Sequence, residues 1–138
     1  MTLLLPFKLK VPGTDEVSGF TARSVGYRLQ GLLRLDRDIV RIEWGGVQEI
    51  QEVGALDVRD EQVELPDEWL EIPVEHLHRA VHEGGWWRPR VLLQARSLET
   101  FAGMPGGERG RMRFWYARRD GAAARDLVAG INAAIEAW

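Results

Sequence analysis

The chain has 138 residues, no cysteine, 45% hydrophobic and 28% charged side chains, and a formal net charge of −3. That composition excludes an intrinsically disordered chain, a disulfide scaffold, a thiolate zinc site and a cysteine nucleophile. No apolar run approaches the roughly 20 residues that span a bilayer, and the length fits one domain over residues 1–138.

The lack of cysteine fits a reducing compartment, so a cytoplasmic location is expected. Arginine outnumbers lysine 16 to 2, which points to a GC-rich bacterial genome. Charge is unevenly spread: residues 1–35 carry a net +3, residues 36–83 a net −10, residues 84–125 a net +6 and residues 126–138 a net −2. A uniformly basic nucleic-acid binder is not laid out this way, and no nucleic-acid partner is expected.

The N-terminal run Met1 to Pro6 lacks the basic start of a secretion signal and reads as part of the fold. Leu3, Leu5, Phe7, Leu9 and Val11 share one parity against Thr2, Lys8 and Lys10, the period of a half-buried strand. Pro12-Gly13-Thr14-Asp15 should break it, leaving residues 12–24 as a loop and residues 1–24 as a strand-and-loop extension. Alternation resumes with Val25, Tyr27, Leu29, Leu33 and Leu35, interrupted by Gly31, where a bulge or a close backbone approach is expected. Asp36-Arg37-Asp38 turns the chain into a second strand from Ile39 to Trp44, Gly45-Gly46 bends it, and Val47 to Val53 continues less regularly.

Residues 54–75 are the least legible. Ala55 to Arg59 and Trp69 to Ile72 are strand-like, while Asp60-Glu61 and Pro66-Asp67-Glu68 read as turns. His76 to Glu83 alternates with Leu77 and Val81 on one face, Gly84-Gly85 turns the chain, and Val91 to Leu98 is a strong strand. Residues 99–110 form a glycine-rich loop with room for one helical turn. Arg111 to Arg119 is the last strand, with Met112, Phe114 and Tyr116 inward.

Residues 120–138 close the chain as an amphipathic helix, with Asp120 placed to cap it. Its apolar stripe is Ala124, Leu127, Val128, Ile131, Ala134, Ile135 and Trp138, with Arg125, Asn132 and Glu136 on the other side. Each large member of that stripe is worth ~1.5–3 kcal/mol when fully buried, so the helix should be a lid on strands 25–119. Gly130 inside it implies close packing on the sheet.

Gly31 to Leu35 followed by Ile39 to Glu43, then Leu70 to Leu77 with its Ile72-Pro73 pair, then Arg90 to Leu93 and the final helix, resemble bacterial pleckstrin-homology-like (PH-like) domains over residues 25–138. The resemblance implies an antiparallel bent sheet, or partly open barrel, of about seven strands capped by one C-terminal helix, here with an extra N-terminal strand. It also implies a binding module for phosphoinositides, peptides or proteins. Lipid-binding members gather lysines and arginines around the first hairpin turn. Asp36-Arg37-Asp38 departs from that pattern.

Two constellations stand out. His76, His78 and His82 share a parity on an extended strand, and His76 with His78 could share a metal. Residues six apart on a strand lie about 20 Å apart, which keeps His82 from joining His76; the alternative is a solvated strand face. The second is Trp86-Trp87-Arg88-Pro89-Arg90. One tryptophan should enter the core and the other should join Arg88, Arg90, Arg96, Arg111, Arg113 and Trp115 on an outer face. Tryptophan and arginine are the residue types of interface hot spots. The same arginines could instead pair with the acidic strands of residues 36–83.

No phosphate-binding glycine loop, dinucleotide fingerprint or nucleophile elbow is present, and no cofactor is implied. Gly103 to Gly107 reads as a flexible loop. The expected function is a non-catalytic interaction module that meets a partner protein, or a second copy of itself, through the Arg/Trp face. Edge pairing by strand 3–11 would also give a homo-oligomer. The alternatives are binding of an anionic ligand or membrane surface, and a metal-dependent enzyme using His76 and His78.

Overall fold

The computed structural model describes residues 2–19 and 21–138, apart from the side chains at 14–16 and 18. Met1 and Phe20, which belong to the N-terminal run and to the expected 12–24 loop, lie outside the described residues. Strands β1 (Thr2–Ser18), β2 (Thr21–Asp36), β3 (Ile39–Val53) and β4 (Val58–Pro73) form a meander. A 3-10 turn at Val74–His76 leads to β5 (Leu77–Glu83), β6 (Arg90–Ala95) and β7 (Arg111–Trp115), and helix α1 (Gly121–Ala137) follows. All seven strands belong to one antiparallel sheet in the order β4-β3-β2-β1-β7-β6-β5. The sheet does not close, because β4 and β5 are its edges. Strands and a C-terminal helix are what the alternation and the helical stripe predict; the bent sheet of about seven strands is what the resemblance implies, except that the N-terminal strand counts among the seven instead of adding to them.

The first four strands run well past the core, and here the expected loops turn out to be strand. β1 does not stop at Pro12. Val11 pairs with Tyr27 and Thr14 with Val25, so Pro12 and Gly13 face Gly26 alone, a β-bulge. A Cβ on Gly26 would lie 3.0 Å from the Val11 carbonyl oxygen, so glycine opposite the bulge lets the two backbones close up. β4 likewise passes straight through Pro66-Asp67-Glu68. Trp44 pairs with Glu68 and Gly46 with Leu65, leaving Pro66 and Asp67 opposite Gly45. Proline is tolerated at a bulge on an edge strand because no neighbour needs its missing N–H. Both breaker signals were real, but they mark one extra residue in a strand rather than a turn.

N-terminal strand 3–11 is not a free edge, since β1 lies between β2 and β7. Its contact with β7 is short, with Lys8 opposite Trp115. The inner side of that junction carries Phe7 against Phe114, edge to face with ring centroids 4.8 Å apart. Gly31 is a close approach and not a bulge. A side chain there would run into the Glu43 carbonyl and stand 2.8 Å from Phe7 Cζ.

The glycine-rich loop is part of the core. Phe101 and Met104 are both buried among Leu5, Phe7, Met112 and Phe114. Gly106 packs against Val11, Leu9 and Met112. Helix α1 buries Ala124, Leu127 and Ile131, and Gly130 approaches Leu3 so closely that a Cβ would lie 2.6 Å from its Cδ1. Three helical expectations need correction. Trp138 ends the stripe beyond the sheet and stays 67% exposed. Asp120 sits at the helix start without a side-chain capping bond. Asn132 is not on a solvated face: its Nδ2 donates to the Ala80 carbonyl and its Oδ1 accepts from the Ala80 N–H, both at 2.9 Å. The amide thus satisfies edge strand β5 as a neighbouring strand would.

Phe101→Ala should lower unfolding free energy by about 3–5 kcal/mol, as for other fully buried aromatics. Asn132→Ala should cost about 1–3 kcal/mol by orphaning two backbone groups, whereas Trp138→Ala should stay within ~0.5 kcal/mol. Urea titrations of the three variants check this.

Candidate functional site

The Arg/Trp face is built on the β5–β6 connection and on the outer side of the β5-β6-β7 sheet. Gly84 and Gly85 take positive φ values of 81° and 52°, and a side chain at Gly84 would strike the Arg88 carbonyl. That backbone bend throws both tryptophans outward. Trp86 is 71% and Trp87 68% exposed, so neither enters the core, contrary to the strand-parity expectation. The residues between Gly84 and Pro89 form a turn, where alternation does not apply. The two indoles lie side by side with centroids 6.0 Å apart. Arg118 covers both, its guanidinium carbon 4.1 Å from the Trp86 ring centre and 5.5 Å from that of Trp87. Cation–π contact holds the pair in a fixed attitude while leaving most of its surface open.

The remaining predicted residues divide into two sets. Arg90 Nε and Arg113 Nε both donate to Glu83 Oε1 at 3.2 Å, because Glu83, Arg90 and Trp115 lie in register across β5, β6 and β7. Arg90 also stands 6.0 Å from the Trp115 ring centre. These arginines follow the alternative of pairing within the sheet. Leu92 is buried on this outer parity between them, under side-chain stems rather than in the main core. Arg111 lies exposed on the same face, opposite Gln94. Arg96 falls outside the cluster; it follows β6 and donates to the Leu77 carbonyl at 3.2 Å. Arg88 is exposed beside the tryptophan turn.

The sequence pattern does not point to Arg118, because it predicts a last strand that continues to Arg119. It stops at Trp115, and a 3-10 turn over Arg118–Asp120 swings the guanidinium back over the indoles. The signal was present in the pair Arg118-Arg119 just ahead of the helix, but only the turn brings it to Trp86.

The three histidines do not share a face. His76 belongs to the 3-10 turn, 3.9 Å from Glu75. His78 sits in a register shift between Leu77 and Arg79, which flips the parity that follows. His82 therefore falls, with Ala80, on the side of Leu77 instead of opposite it, and its Nε2 hydrogen-bonds the Tyr116 hydroxyl. Val81 accordingly leaves the face of Leu77. No three histidine, cysteine, aspartate or glutamate side chains gather in metal-binding geometry among the described residues. Among those residues, too, no helix is long and apolar enough to cross a membrane.

Burial raises the Tyr116 hydroxyl above its ordinary value of 10.0, with Arg125 opposing the shift. The folded state thus holds this proton longer than the unfolded chain. Its contribution is complete below the ordinary tyrosine value and disappears as pH rises through the raised one. Calorimetric melting should therefore fall more steeply above about pH 10 for wild type than for Tyr116→Phe.

No family model, no curated protein and no solved structure matches this chain.

Proposed function

We propose that the chain is a non-catalytic, PH-like interaction module whose tryptophan turn docks an acidic segment of a partner protein. The observation that carries this reading is the exposure of two adjacent indoles that Arg118 holds side by side. Exposed tryptophan costs solvation and here contributes nothing to the core. Rigid aromatics lose little conformational entropy on binding, and with arginine they make up the hot spots of protein interfaces. Arg88 next to the indoles and Arg111 on the adjoining sheet face, neither in an ion pair among the described residues, supply positive charge for carboxylates. Arg90 and Arg113, which share Glu83, frame the surface rather than grip a ligand.

The strand order supports the family reading: four strands, then three, then one helix packed on the sheet. A bacterial, cytoplasmic setting remains our reading of the composition.

Capture experiments with native extract should retain a partner on wild-type bait and lose it on Trp86→Ala/Trp87→Ala and on Arg118→Glu. Binding of that partner should weaken as salt screens the arginines. Arg111→Glu should weaken it less than loss of the indoles. Identical profiles for wild type and the tryptophan variant would overturn the reading.

A further inference from the structure

A second feature lies at the junction of β1 and β7 and shares only Arg88 with the tryptophan turn. Where β1 meets β7, the outer faces of β1 and β2 and the overhanging residue Arg88 enclose a cleft of about 710 Å³. Lys8, Lys10, Arg28, Gln30, Arg88 and Trp115 line it, and no lining residue is acidic.

The charge arrangement is unusual for this molecule. The chain has only 2 lysines against 16 arginines. Both lysines sit at alternate positions on one strand and line the same cleft. Lys8 and Lys10 are about 6.7 Å apart along β1. Arg28 lies directly across from Lys10 and Gln30 across from Lys8, at the ~5 Å spacing of paired strands. Among the described residues no carboxylate comes within ion-pair distance of Lys8, Lys10 or Arg88, while Arg28 is paired with Glu49. Asp67 and Asp120 line the adjoining hollow, which shares Lys8, Gln30 and Trp115 with this cleft. The Trp115 indole N–H is buried and has no hydrogen-bond acceptor among the described residues.

We propose that this cleft binds a multiply charged phosphate-type oxyanion. Lys8, Lys10 and Arg88 line one cleft with no ion pair of their own among the described residues, and like charges so placed repel unless an anion sits among them. A lone carboxylate would satisfy one or two of these donors. A phosphate group presents enough oxygens to meet Lys8, Lys10 and Arg28 together, with Arg88 reaching it from the opposite wall. The phosphate belongs either to a soluble molecule or to a lipid headgroup.

The lysine count makes the test direct. Acetylation of Lys8 and Lys10 by an amine-selective reagent is followed by mass spectrometry, with the N-terminal amine as internal reference. Inorganic pyrophosphate should slow labelling of both lysines relative to that reference, whereas chloride of equal ionic strength should not. Arg28→Gln and Arg88→Gln should each raise the pyrophosphate concentration needed roughly tenfold, about 1.4 kcal/mol. All these side chains are exposed at the surface, and circular dichroism verifies that the variants keep the fold. Trp86→Ala/Trp87→Ala should protect as wild type does. Protection by phosphatidate-containing vesicles but not by pyrophosphate would assign the phosphate to a lipid. Protection by neither, or protection unaltered in both arginine variants, would overturn the proposal.

Discussion

Phe7 and Phe114 meet edge to face across the narrow junction where the four long strands join the three short ones. Most of the structure follows from that contact. β1 and β7 touch only around Lys8 and Trp115, so backbone bonding alone gives little to hold the two parts of the sheet at their angle. The aromatic pair, with Leu5, Met112 and Phe101 around it, supplies the hydrophobic contact that does. It needs room, and Gly31 on β2 provides it. The same alternation that sends Phe7 and Phe114 inward sends Lys8 and Trp115 outward. The core keystone and the basic cleft are therefore the two faces of one junction.

The helix and the 96–110 loop complete what the open sheet leaves unburied. α1 covers the inner face near Leu3 and Leu35, and Asn132 gives the β5 edge the hydrogen bonds it would otherwise lack. The loop contributes Phe101 and Met104 from a stretch whose glycines read as flexibility. The opposite edge, β4, has no cover and is protected differently. Asp60, Glu61, Glu64, Asp67, Glu68 and Glu71 line it, a density of like charge that discourages pairing with another sheet. Much of the net −10 of residues 36–83 is thus explained by protection of that edge rather than by a ligand.

The fold class was legible because period-two alternation is strong where one face is buried, as in Leu3 to Val11 and Met112 to Tyr116. It faded where β3 and β4 extend beyond the core, since neither face there is driven to be apolar. Pro12 and Pro66 were misread for a related reason. A bulge and a turn call for the same residue types, and only the partner strand distinguishes them. The tryptophan turn was legible as composition but not as geometry, because the positive φ of Gly84 and Gly85 removes the parity that would have buried one ring. The histidine row failed at a register shift that leaves no mark in residue type. The cleft was invisible for a simpler reason. Lys8 and Lys10 read as the solvated face of a strand, and nothing local says that Trp115 and Arg88 will be brought over them.

The pairing of the first strand with the last has a consequence for how the chain is made. On the ribosome, β1 finds β2 as soon as the second strand emerges. Its other side must wait for β7, the last strand of the sheet in chain order. Until then Leu5, Phe7 and Leu9 lack the helix, the loop and Phe114 that finally cover them. The meander of the first four strands is consequently a nascent intermediate with an uncovered apolar face. Completion of this fold therefore requires that residues 96–138 have left the exit tunnel.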